Sequence, residues 1–384
     1  MSNLYEASQQ WATRPADERY WTVADAYKAA LDYRAAAAES NVDTQDLRIY
    51  AENGEIRVNG KAKSARFSHY GFGQFARLAG APASYLRTLP STLAADCLVA
   101  GLANTERSSV RLLLHKQPGD DLLIRAATSE GYSRIWNSEV LEHCARAEQA
   151  GWRVPPAWGQ AGEEGSRIAT AEFIAGYQGR TLVKAGDSIV ASGVYLSDAD
   201  CFALLIDPSH RVDDGSEGGL SRGFIASNSE VGAAKFRLTT FLYRHVCGNH
   251  IIWNASDVTE LAIIHKGSAN KRFGSELRAS LTRYANSAGS QDEAKILTCK
   301  KFTFGATRES VVKTLFDRGI LPRQTLALAY DAAVVQHETT GGTGGPNSAW
   351  GYAQGITSLS QSQRHFDDRV VLDRAAGKVL DLAF

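Results

Sequence analysis

The densest chemistry in this sequence is positive charge. Between residues 220 and 283, nine bases (Arg222, Lys235, Arg237, Arg244, Lys266, Lys271, Arg272, Arg278 and Arg283) stand against four acids (Glu230, Asp257, Glu260 and Glu276), a local excess of +5. Over the whole chain Lys and Arg total 42 and Asp and Glu total 42, so a neutral protein has concentrated its cations in one segment. Cations set along a phosphate backbone, beside rings on which bases can stack, are what sequence-tolerant binding of a single strand requires. Arg237, Arg244, Lys266, Lys271 and Arg272 are therefore the candidate phosphate contacts. Tyr243 and Phe273 are the candidate stacking platforms, with His245 as a further ring. The alternative is a solvated helix face carrying structural ion pairs.

Other chemistry fails on spacing or on a missing partner. His245, Cys247 and His250 lie close together in RHVCGNH, but a helix puts i and i+2 on different faces, Gly248 breaks it, and no fourth donor follows. His265 suits a phosphate donor or a solvated element end. GFGQFARLAGAPASYLRTLP has helix-turn-helix spacing, yet only Ser84, Tyr85, Arg87 and Thr88 are available to read a groove, which favours a packed helical hairpin. No Gly-x-Gly-x-x-Gly, Walker loop, His-Glu-x-x-His or Gly-x-Ser-x-Gly occurs, and His337-Glu338 lacks a second histidine. The acid pairs Asp120-Asp121, Asp213-Asp214 and Asp367-Asp368 suit turns and helix starts. No metal or cofactor is implied.

The elements that would position these residues are legible in outline. VADAYKAALDYRAAAAES predicts a helix, Asn53-Gly54 a hairpin, and Ser68 a helix cap, with Gly80 ending that helix and Pro82 to Pro90 bounding a short second one. Two strands joined at Pro118-Gly119 precede a helix over SEVLEHCARAEQAGW. A proline- and glycine-bearing loop or linker follows. RIATAEFIAGY, SIVASGVYLS, CFALLID and LSRGFIASN read as strands, and 229–247 as a helix capped by Ser229. The last third is mainly helical, interrupted by a flexible GGTGGPNSAWGYAQ. Strands grouped before helices predict an α+β fold, with antiparallel sheets backed by helices and a largely helical C-terminal third. The divisions expected are an α+β region over 1–154, a linker at 155–166, a strand-rich core with its helix over 167–290, and a helical region over 291–384.

Composition bounds the class. With 384 residues and 44% hydrophobic content the chain can bury a sizeable core. Cys97, Cys144, Cys201, Cys247 and Cys299 are widely spaced, which fits buried thiols better than a disulfide framework. The first residues lack the apolar stretch of a secretory signal, and no run approaches a membrane span, so a cytoplasmic location is expected.

Several blocks together resemble a known family. ASQQWATRPADERYW, FARLAGAPASYLRTLP, TSEGYSRIWNSEVL, GFIASNSEVGAAKFRLTTFLYRHVCGNHII with the following HKG and KRF, and AWGYAQGITSLSQ with DDRVVLDRAAG are similar, in order over nearly the whole chain, to the phage/plasmid-like proteins, a domain-of-unknown-function group. Where members carry a Thr before the Trp and an Asn-Ala-Val-Thr-Glu-Tyr-like run, this chain has Ser348-Ala349-Trp350 and Gln354-Gly355-Ile356-Thr357-Ser358. The resemblance implies a mobile-element setting and no accepted activity. Phage annealing proteins of the RecT kind, which back a small antiparallel sheet with a helix and assemble into rings or filaments, offer a fold-level analogy. The expectation is a non-enzymatic protein that binds or anneals single-stranded DNA in recombination or replication, with a homo-oligomer as a possible assembly. The alternative is a protein-interaction factor, such as an inhibitor of a host defence protein. An enzyme of unrecognised type is the third reading.

Overall fold

The computed structural model describes residues 15–59, 64–106, 108–177, 183–245, 247–251, 253, 261–286, 290–363 and 366–384. After β1 (Arg19–Tyr20), helix α1 (Val23–Ala35) starts at Thr22, whose hydroxyl accepts from the Asp25 amide. The alanine run beyond it does not prolong the helix, contrary to the sequence reading: Ala37–Asp43 is strand β2. Next come β3 (Arg48–Glu52), β4 (Glu55–Asn59), β5 (Ser64–Phe67), α2 (His69–Leu78), α3 (Ala83–Leu86), α4 (Ser91–Ala103), β6 (Ser109–Lys116) and β7 (Leu122–Thr128). The β3–β4 hairpin turns on Asn53 and Gly54, both at positive φ (52° and 82°), as a two-residue primed turn demands. These strands form a six-stranded sheet in the order β2-β6-β7-β5-β4-β3, antiparallel apart from the β5–β7 pair. β2 pairs with β6 along its whole length, so sheet pairing overrides alanine's helix preference there. Helices α2 and α4 cover this sheet, with Phe75 and Leu98 fully buried against Val110 and Ile124.

The second half begins with α5 (Asn137–Gln149), then β8 (Ala157–Trp158), β9 (Arg167–Ile168), α6 (Ala171–Ala175), β10 (Ser188–Val190), β11 (Val194–Leu196), β12 (Cys201–Val212), β13 (Leu220–Asn228), β14 (Phe236–Arg244), β15 (Asn249–Ile251) and β16 (Leu261–Ile263). AEFIA, read as strand, is a helical turn capped by Thr170. The larger correction concerns 229–247. Its first residues are a turn containing Gly232 at φ 86°, and the rest is not a helix but the long strand β14. FRLTTFLYR carries the β-branched and aromatic residues strands favour and is buried on both faces, so it shows no clean alternation. The large sheet runs β1-β11-β12-β13-β14-β15, with β16 also on β14, and every pair is antiparallel. β8, β10 and β9 make a small separate sheet.

The remaining elements are α7 (Ala269–Asn286), α8 (Ser290–Lys301), α9 (Arg308–Asp317), α10 (Arg323–Thr340), α11 (Ala349–Gln361) and α12 (Phe366–Asp381). The fold is α+β with a helical C-terminal third. AWGYAQ, read as flexible, starts the buried helix α11 behind a Ser348 cap. That helix crosses α10 closely: a Cβ on Gly355 would lie 2.1 Å from the Ala329 carbonyl oxygen. Alternation along β13 and β14 divides the large sheet into two covered faces. Phe224, Phe236 and Leu238 pack under α1, α5 and α7, whereas Ile225, Phe241 and Tyr243 face a second cluster with Tyr177, Tyr195 and Val370. Among the described residues, no helix is long and apolar enough to cross a membrane.

Candidate nucleic-acid interface and the polar junction behind it

The sheet separates the predicted phosphate contacts and stacking platforms. Arg244, at the end of β14, is 0% exposed: its Nε donates to Asp214 Oδ2 at 2.7 Å, and the two Nη atoms donate to Thr340 Oγ1 and the Gly341 carbonyl. It is a structural tie between the 213–219 loop and the C-terminal helices, not a surface cation. Tyr243 and Phe273, each 2% exposed, present no ring face to a stacking base. Phe273 instead meets Phe236 edge to face at 4.7 Å and pins α7 to the sheet. Arg237 is half-buried and alternates with Phe236 and Leu238, so it lies on the sheet face opposite α7. His245 is buried with Nε2 2.8 Å from Ser221 Oγ. The side chain of His250 lies outside the described residues. Among the described residues no group of three His, Cys, Asp or Glu side chains could hold a metal ion.

Lys266, Lys271 and Arg272 stay together, and the sequence reading placed Arg278 and Arg283 in the same segment. All five are exposed. At 100° per residue, Lys271, Ser275, Arg278 and Thr282 form one stripe of α7 and Arg272, Glu276 and Arg283 the adjoining one. Phe273, Leu277 and Tyr284 make the buried stripe behind them. From Lys266 to Asn286 there are five bases and one acid, and that acid, Glu276, pairs with Arg272 at 3.6 Å. The remaining bases of the segment went elsewhere: Arg222 is buried, donating to Asp292 and to the Tyr284 carbonyl, and Lys235 is half-buried.

A buried polar junction fixes the turn that leads into α7. It joins four separate stretches of sequence, 34–39, 125–137, 229–230 and 265–270. Ser133 N donates to the His265 carbonyl, Ile135 N to His265 Nδ1 at 3.3 Å, and Ser133 Oγ to Asn270 Oδ1 at 3.1 Å. Tyr132 forms a β-bridge with Lys266, stacks on His265 at 5.1 Å, and donates its hydroxyl to the Ser229 carbonyl. Beneath them Glu230 pairs with Arg125 at 2.7 Å, both nearly without exposure, and accepts from the Asn137 amide. Arg134 donates to the Glu230 carbonyl and to Glu39. Its guanidinium lies between the Tyr132 and Trp136 rings at 5.2 and 5.6 Å, and Arg34 caps Trp136 at 5.1 Å. Burial pushes the His265 imidazole down to about 4, so it is neutral at neutral pH and is not the phosphate donor or solvated residue the sequence suggested.

Sequence reasoning missed this junction. Arg125, a lone charge inside the apolar run LLIRAA, was the available signal, since such a charge needs a buried partner. Among the described residues, Asp207, Ser209 and His210 come nearest to a catalytic set. There both Ser209 Oγ and His210 Nδ1 (2.7 Å) turn to Asp207, so the serine is not held by the imidazole's far nitrogen as a triad requires. The 69–89 block is a packed hairpin, with Arg87 donating to the His69 carbonyl and covering Phe72. No family model, curated protein or solved structure matches the chain.

Proposed function

We propose that the protein acts by binding, and that its ligand is single-stranded DNA held through the phosphate backbone by the outer face of α7 and the turn before it. One observation carries this reading: five exposed cations, with Glu276 as the one acid among them, lie along residues 266–286 of a protein with no net charge. Such a surface attracts a polyanion locally where the whole molecule would not. With Tyr243 and Phe273 in the core, recognition is by charge rather than by stacking on those rings, and is tolerant of sequence. The resemblance to phage- and plasmid-borne proteins belongs to the same proposal, since it supplies a setting in which single strands are exposed.

The test is fluorescence polarisation of a labelled oligonucleotide across a salt series. Neutralising about four phosphates predicts a slope of log affinity against log salt of roughly −3. Lys271→Glu with Arg278→Glu, both on exposed positions of one stripe, should abolish most of the binding and flatten the slope. Absence of any polarisation change at about 50 mM salt, or wild-type binding by the double variant, would overturn the proposal.

A further inference from the structure

The face of the large sheet opposite α7 carries a cleft of about 410 Å³, within the range of small-molecule sites. Its floor is Tyr195, Leu204 and Tyr243, one wall is the Pro155–Trp158 segment, and the other is the end of α11 with the first turns of α12. Three features give it a chemistry. Trp158 is 58% exposed, and its indole nitrogen donates to Asp187 at 3.2 Å, which steadies a large ring at the cleft edge. Two guanidiniums, Arg19 and Arg369, line the same space, together with the Glu163 carboxylate and the amides of Gln361 and Gln363. Arg19 is met by Glu163 at 3.4 Å, whereas the acid behind Arg369 is Asp373, buried and 4.0 Å away. Burial raises that carboxyl to about 7.

An exposed indole, two guanidiniums and amides on one wall suit a ligand with a planar base at one end and an anion at the other. We propose that this cleft binds a nucleoside 5′-monophosphate group, with Trp158 against the base and Arg369 and Arg19 toward the phosphate. The group is either a free nucleotide or the 5′ end of a strand. The site lies across the sheet from the α7 surface and does not rest on it.

Calorimetric titration of the full chain with dAMP, and with 5′-phosphorylated and unphosphorylated oligonucleotides in the Lys271→Glu/Arg278→Glu background, separates the two sources. Saturable dAMP binding identifies the free nucleotide, and binding of the phosphorylated oligonucleotide alone identifies the strand end. In either case Trp158→Ala should weaken binding about tenfold, as loss of one stacked base contact does. Arg369→Gln should weaken it by a similar factor, while deoxyadenosine without its phosphate binds poorly. Arg19→Gln serves as the second charge variant should Arg369→Gln disturb folding. Lack of binding by both dAMP and the phosphorylated oligonucleotide up to about 5 mM, or binding unchanged in Trp158→Ala, overturns the assignment.

Discussion

Replacing Arg244 with Met tests whether this arginine is a tie within the fold or a contact for DNA. The guanidinium makes hydrogen bonds of 2.7 Å to Asp214, 2.8 Å to Thr340 and 2.7 Å to Gly341, with no exposure to water. Methionine fills similar volume but leaves the Asp214 carboxylate, itself fully buried, with Ser216 as donor and with the Lys300 ammonium, which donates to the Asp214 carbonyl, as the cation nearby. Removing one member of a buried pair costs about 3–5 kcal/mol where the remaining charge has no compensation, and with Lys300 beside Asp214 the lower end of that range is expected. Set against a total stability of about 5–15 kcal/mol, the denaturation midpoint should move visibly. Urea unfolding followed by circular dichroism measures it. The double variant Arg244→Met with Asp214→Leu removes both charges and should recover most of the loss, giving a favourable coupling between the sites. Oligonucleotide affinity of the folded protein should be unchanged in both. A single variant within about 1 kcal/mol of wild type would refute the structural role, as would a double variant less stable than either parent.

Two further perturbations are expected to be informative. Burial holds Asp373 at about 7, whereas an unfolded aspartate titrates near 3.9, so between about pH 4 and 7 the folded state keeps a proton that the unfolded state has lost. Stability therefore falls as pH rises through that window, by up to about 4 kcal/mol, and levels off above it. Asp373→Asn should erase this component, gaining on wild type at pH 8 and matching it near pH 4 in thermal melts; parallel pH profiles for the two proteins would contradict the argument. Gly355→Ala should destabilise sharply despite alanine's better helix propensity, since its Cβ would meet the Ala329 carbonyl at 2.1 Å. An unchanged unfolding midpoint would show that α10 and α11 can part without loss.

Local signals were readable where the cause is local. Asn53-Gly54 announces its hairpin, Ser68 caps the helix that follows it, and the apolar strands on either side of Pro118-Gly119 are where the pattern puts them. The reading failed where a distant partner decides. The alanines of β2 extend because β6 lies beside them, and FRLTTFLYR became a strand because both its faces are covered. The concentration of charge was visible in the sequence, but its division was not. Whether an arginine faces water or a carboxylate depends on Asp214 for Arg244 and Asp292 for Arg222, residues that lie far away in the chain. The cleft beside Trp158 is built from several separate segments, and no single stretch of sequence announces it.

The short strand β1 carries a consequence for how the chain is made. Arg19 and Tyr20 pair with Tyr195 and Val194, so the outermost strand of the large sheet emerges from the ribosome long before its neighbour exists. At usual synthesis rates that gap is roughly 10–35 s, far longer than the microseconds a hairpin takes to close. The nascent six-stranded sheet, whose strands all lie within 37–128, has time to form first while the N-terminal segment waits unpaired. β1 can join the large sheet only once β11 has been made. Until β11 is made, the backbone edge of β1 is open to competing strand partners.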